Sequence, residues 1–117
     1  MNILIVNPAT LDESGRPQKY RKAYMPPLIL GILSSLTPYH HTVQCVNDIV
    51  EDVDYDGRYD LVAIYAMTCQ AGRAYQIADA FRERNVTVVI GGIHASILPE
   101  EAKLHADAVA IGEADNL

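Results

Sequence analysis

Val86-Thr87-Val88-Val89-Ile90 is a run of five β-branched residues that passes directly into Gly91-Gly92-Ile93-His94. A continuous apolar run of this length, without polar alternation, reads as a strand buried on both faces, as in a parallel sheet covered by helices. The glycine pair marks the strand's carboxyl end, where a backbone turns with positive φ or lets a bulky ligand approach. At this point the pair supports a ligand site and a tight turn equally.

Working outward, Ile3 to Val6, Leu61 to Met67 and Ala108 to Ile111 repeat the buried-strand pattern. Thr42 to Val46 alternates polar and apolar residues, which suits a sheet edge. Leu28, Ile29, Ile32, Leu33 and Leu36 form one helical face, opened by Pro27 and stopped before Pro38. Ala71, Ala74, Ala78 and Phe81 form another, with Arg73, Gln76, Arg82 and Glu83 opposite. A short helix is expected from Pro99 to Leu104. The stretch Asp48 to Asp60 holds six of the fifteen acids and reads as a short helix at Ile49 to Val53 followed by a solvated loop.

The resulting β-α-β-α-β-α-β-α-β order predicts a three-layer, doubly wound α/β domain with a five-stranded parallel sheet. The flavodoxin-like strand order 2-1-3-4-5 puts the alternating second strand at an edge. The 117 residues form one domain, 1–117, large enough to fold without disulfides or a structural metal. Only Gly112 to Leu117 follow the fifth strand, so the chain is expected to be one module of a longer protein.

A net charge of −6 argues against nucleic-acid binding and against a membrane-surface role. Cys45 and Cys69 show no zinc spacing, and the short N-terminal apolar run is neither signal peptide nor membrane span. A cytoplasmic location is expected.

In such sheets ligands bind beyond the carboxyl ends of the strands, at the switch between the first and third. The candidates there are Asn7 and Pro8; Ala66, Met67 and Thr68; Gly91, Gly92, Ile93 and His94; and Gly112 and Glu113. No catalytic residue or metal ligand is assigned. Asn7-Pro8-Ala9-Thr10 is neither a phosphate-binding loop nor a dinucleotide fingerprint. Acids expected of a phosphoacceptor domain are missing after strands 1 and 3, and the Asp12-Glu13 pair is a poor flavin-phosphate cradle.

The connection from Pro8 to Met25 carries Arg16, Lys19, Arg21 and Lys22 and reads as a lid or partner-contact loop, or as a mobile solvated one. Cys69 is expected to be a buried structural cysteine, with nucleophilic use the alternative. His40, His41 and His105 are expected at the surface. Glu113 suits a ligand contact or a cap.

Together these residues resemble the N-terminal cobalamin-binding domain of cobalamin-dependent radical S-adenosylmethionine enzymes. The resemblance runs through Ile3-Leu4-Ile5-Val6-Asn7-Pro8, Pro26-Pro27-Leu28-Ile29-Leu30-Gly31, Val46-Asn47-Asp48 and Asp60-Leu61-Val62-Ala63-Ile64-Tyr65 with Met67-Thr68. Its most specific part is Val89-Ile90-Gly91-Gly92-Ile93-His94-Ala95-Ser96, with Leu98-Pro99-Glu100-Glu101-Ala102 and Ile111-Gly112-Glu113 behind it. It implies a corrin ring over the strand ends and a dimethylbenzimidazole tail between sheet and helices beside Gly91 and Gly92.

The Asp-x-His-x-x-Gly motif that supplies an axial histidine in the other large cobalamin class is absent, which implies base-off cobalamin with no protein histidine on cobalt. His94 is then a tail or corrin-amide contact. Tyr65 stands where Ser is more usual and Ala63 where Gly is, two departures that narrow the space for the tail. The Cys-x-x-x-Cys-x-x-Cys motif of a [4Fe–4S] cluster is also missing, so the cluster, S-adenosylmethionine and the radical barrel are expected in a downstream domain. No turnover is expected from these residues alone, and methyl transfer to an unactivated carbon is the reaction implied. A non-catalytic interaction domain that has kept the fold and lost the cofactor is the alternative.

Overall fold

The computed structural model describes residues 2–19 and 42–110. Strands β1 (Asn2–Asn7), β2 (Thr42–Asn47), β3 (Leu61–Tyr65), β4 (Thr87–Gly91) and β5 (Ala108–Val109) form one all-parallel sheet in the order β2-β1-β3-β4-β5. The expected flavodoxin-like topology is therefore the observed one, with β2 at an edge. Pairings of Ile5 with Ala63 and of Tyr65 with Gly91 set the register, so the carboxyl ends of β1, β3 and β4 lie side by side.

The sheet's two faces differ. On one, Leu4, Val6, Val62, Ile64, Val88 and Ile90 are buried in the main core. Helix α1 (Ala71–Glu83) covers them with Ala74, Ile77, Ala78 and Phe81, the apolar stripe that its spacing dictates. Asn85, at φ 62°, ends this helix in the left-handed conformation that Asn tolerates. Short helices α2 (Ile93–Ile97) and α3 (Pro99–Lys103) add Ala95 and Ala102 to the same core. On the other face Ile3 and Ile5 are buried, while Leu61, Ala63, Tyr65, Val89 and Gly91 are half-buried. The helix expected at residues 28–36, which would supply the layer there, lies outside the described residues, as do His40, His41, Arg21, Lys22, Gly112 and Glu113.

One local expectation is corrected. Residues 48–60 form turns rather than opening with a short helix, because within the expected helix, 49–53, only Val53 is buried in the core, too little burial to hold a helix of one or two turns. Beyond the glycine pair, Ile93–Ile97 is helical. The basic connection is described as far as Lys19. It folds back on itself through a Leu11–Pro17 bridge and bonds from the Asp12 amide to the Arg16 carbonyl and from the Gln18 amide to the Thr10 carbonyl. Gln76 of α1 donates to the Gly15 carbonyl at 3.1 Å and pins the fold to the helix. No helix among the described residues is long and apolar enough to cross a membrane.

Candidate functional site

The strand ends are closed from below by a buried amide network. Asn7 is 5% exposed; its Nδ2 donates to Asn47 Oδ1 at 3.2 Å, and its Oδ1 accepts from Gln70 Nε2 at 3.1 Å. Gln70 also donates to the Pro8 carbonyl at 2.7 Å and accepts the Met67 amide at 2.9 Å. Every one of these groups would be costly to bury unpaired, so the network fixes the ends of β1, β2 and β3 relative to one another. Asn7, Pro8 and Ala66 are thus buried floor residues, whereas Met67 and Thr68 reach solvent.

Beside this network lies an ionic cluster centred on Asp48. The carboxylate is fully buried and accepts four hydrogen bonds: the Ala9 amide at 2.9 Å, Lys19 Nζ at 2.7 Å, Arg73 Nε at 2.8 Å and Arg73 Nη2 at 3.1 Å. Burial works to raise the Asp48 pKa, but the hydrogen bonds from Arg73, Lys19 and the Ala9 amide outweigh it and hold the group below its ordinary value. Arg73, expected on the solvated side of its helix, is instead turned onto this acid with its side chain 12% exposed. Lys19 is likewise spent inside the fold.

The fourth-strand turn is built around Gly92, whose φ of 104° suits only glycine. A Cβ there would sit 2.6 Å from the Ala66 carbonyl oxygen and 2.9 Å from its amide nitrogen. This glycine is therefore demanded by the close approach of two backbones. At Gly91 a Cβ would meet, among the described residues, only Ala110, at 3.4 Å, an ordinary contact.

His94 follows in α2 and is 7% exposed. Its Nε2 lies 2.8 Å from Glu101 Oε1 and its Nδ1 lies 3.4 Å from Thr68 Oγ1. The Tyr75 hydroxyl donates to the same Glu101 oxygen at 2.7 Å. Hydrogen bonds from His94 and Tyr75 hold the Glu101 carboxyl below its usual range, while burial and that acceptor push the Tyr75 phenol well above its own. Tyr75 also stacks on His105 with ring centroids 4.1 Å apart, and His105 Nδ1 meets Asp79 at 2.9 Å. His105 is half-buried rather than a plain surface residue, and Cys69 is exposed rather than buried.

What remains facing outward at the ends of β3 and β4 is apolar: Met67 at 50% exposure and Ile93 at 51%, with Ile97 one turn beyond Ile93 at 65%. Backbone bonds from Ala66 to Gly91 and from His94 to Ala66 place the two turns against each other. The residues brought together here are thus Ala66, Met67, Thr68, Gly91, Gly92, Ile93 and His94. A shallow groove of about 690 Å³ bordered by Arg82, Thr87 and Asp107 lies at the other end of the strands, and its wall is mainly charged and polar.

Sequence spacing missed Gln70, Arg73, Tyr75 and Glu101 as organisers of this rim. Asp48 was visible only as an acid closing a strand.

The B12-binding domain model matches residues 33–117. Over 91 residues, 77% of the chain, it is 53% identical to bacteriochlorophyllide d C-8(2)-methyltransferase of Chlorobaculum tepidum. It is 34% identical over 94 residues, 78% of the chain, to bacteriochlorophyllide d C-12(1)-methyltransferase of the same organism. These matches span 20% of the length of each methyltransferase. No solved structure matches significantly. With the parallel 2-1-3-4-5 sheet, the glycine turn and a family match over most of its length, the chain belongs to the B12-binding domain family.

Proposed function

We propose that this chain binds cobalamin over the carboxyl ends of β1, β3 and β4 and presents it to a catalytic domain elsewhere in a longer protein. The observation that carries the reading is the exposed ledge of Met67, Ile93 and Ile97 at the position where such sheets bind ligands. A corrin is a broad, neutral plate fringed by amide side chains, and this ledge fits its face better than a charged cleft would. Half-buried small residues, Ala63 and Gly91, line the face on which a nucleotide tail would enter. No described neighbour demands glycine at 91, so its missing side chain is read as room for the tail.

The rim residues act by orientation. Asn7, Asn47 and Gln70 hold the floor, and the Asp48 cluster holds the turn after β1. Thr68 is assigned as a polar contact for corrin amides; Gly112 and Glu113 lie outside the described residues and take that role only by the family resemblance. His94 has both ring nitrogens engaged by Glu101 and Thr68, which supports base-off cobalamin without a histidine ligand. When bound, cobalamin supplies a transferable methyl group on cobalt. By analogy with the two relatives, the full-length protein would methylate a chlorophyllide-type macrocycle, with a downstream radical S-adenosylmethionine domain providing the [4Fe–4S] cluster. We place that protein in the cytoplasm.

The test is addition of hydroxocobalamin to the purified chain, followed by desalting and a visible spectrum. Retention of about one equivalent with a base-off spectrum is expected. Complete loss on desalting would leave an interaction domain that has kept only the fold.

A further inference from the structure

Thr68, His94, Glu101 and Tyr75 come from four separate segments: the turn after β3, then α2, α3 and α1. Glu101 Oε1 receives both His94 Nε2 and the Tyr75 hydroxyl, at 2.8 and 2.7 Å. An ionised carboxylate only accepts, so His94 must carry a proton on Nε2. Nδ1 is then either an acceptor for the Thr68 hydroxyl or, in the doubly protonated ring, a donor to it. In both states neither nitrogen is left to coordinate a metal.

This arrangement is more elaborate than packing requires. His94 sits next to Ile93 on the ledge, in the turn that faces the proposed cofactor. A neutral imidazole is a good ligand for cobalt, and a histidine at this rim would ordinarily compete for it. Its ring is 8% exposed because it is turned inward onto Glu101, whose own side chain is 45% exposed. The acid is therefore positioned from the solvent side as a tether for a histidine that belongs to the rim.

We propose that Glu101, assisted by Tyr75, is a positioning residue that keeps His94 off the metal of the bound cofactor. Removing the carboxylate frees Nε2 and converts the site to one in which a protein histidine ligates cobalt. This inference rests on the cobalamin reading above, and the experiment separates the two.

The chain is produced with 15N-histidine, loaded with hydroxocobalamin and reduced to the cob(II)alamin form. Electron paramagnetic resonance then distinguishes a protein nitrogen, which splits the cobalt lines into doublets, from the cofactor's own 14N base, which gives triplets. Wild type should show no doublet, Glu101→Ala should gain one, and the double variant Glu101→Ala with His94→Ala should lose it again. Glu101→Gln keeps an acceptor oxygen for Nε2 and should behave as wild type.

A doublet in wild type, or Glu101→Ala that retains cobalamin without a doublet, overturns the inference. Failure of wild type to retain cobalamin overturns the binding reading instead. Should Glu101→Ala not fold, ring 15N shifts of His94 in the wild-type chain decide: an Nε2-protonated or doubly protonated ring supports the tether, and a ring protonated only at Nδ1 refutes it.

Discussion

Replacing Asp48 by Ala removes the acceptor for four hydrogen bonds at one buried point. Lys19 has somewhere to go, since its side chain is 29% exposed and Asp52 lies 3.4 Å from it. Arg73, at 12% exposure, keeps the neutral Gln76 Oε1 at 3.2 Å but no carboxylate among the described residues, and the amide of buried Ala9 loses its acceptor. Breaking a buried ion pair from one side costs about 3–5 kcal/mol, because the remaining charge stays desolvated. For a domain of this size, ~4 °C per kcal/mol turns that into a fall of roughly 12–20 °C in melting temperature. Urea denaturation followed by far-ultraviolet circular dichroism at pH 7 measures it. A loss under about 1 kcal/mol, the range of exposed pairs, would refute the assignment of Asp48 as the structural hub.

The same group predicts an acid limb. Its pKa is lowered in the folded chain from the ordinary value of 3.8, so the unfolded state binds the proton more readily. The stabilisation is fully present above that ordinary value and is lost as pH falls through the lower folded one. Wild type should therefore lose stability below about pH 4. Asp48→Asn, which cannot ionise, should show a shallower slope there.

Gly92→Ala forces a Cβ against the Ala66 backbone at positive φ and should cost at least about 1–3 kcal/mol in urea melts. Gly91→Ala should change stability by less than about 1 kcal/mol while reducing cobalamin retention, which makes it the cleaner probe of the tail site. Tyr75→Phe removes one donor to Glu101 and should cost about 1 kcal/mol by the same melts. Trypsin should cut after Lys19 only slowly in the native chain, since the 8–19 fold-back is bonded to α1 and Asp48. Rapid cutting there would show that these bonds open locally.

The sheet was legible because four of its strands are near-continuous apolar runs and because Thr42 to Val46 alternates; both patterns report directly how many faces are buried. Helix α1 was legible through Ala74, Ala78 and Phe81 for the same reason. Periodicity fails where a polar side chain is buried by partners distant in the chain. Arg73 lies on the polar side of a helical wheel, yet it reaches an acid 25 residues away. Gln70 sits at the start of a helical segment with nothing around it to announce that its amide bonds to Asn7, 63 residues distant. Gly92 was visible as punctuation, but spacing does not tell a ligand's approach from a neighbouring strand's. Only the position of the Ala66 backbone does that.

These polar groups also explain why the outer rim is apolar. On the β1 and β2 side, the carboxylate, the guanidinium, the ammonium and three amides satisfy one another inside the fold. On the β4 side, His94, Glu101 and Tyr75 do the same. Both sets hold backbone turns rather than offering charges outward, leaving Met67 and Ile93 between them as the surface the proposed cofactor would meet. Recognition at such a rim depends on shape and on backbone placement, so a residue that touches no ligand governs binding by moving the ledge. Mutations of Asp48 or Gln70 should then act on affinity through stability, while those of Glu101 should act on the metal's surroundings with the sheet intact. That difference in readout separates a scaffold residue from a positioning one at a site where both lie within a few residues of the same strand ends.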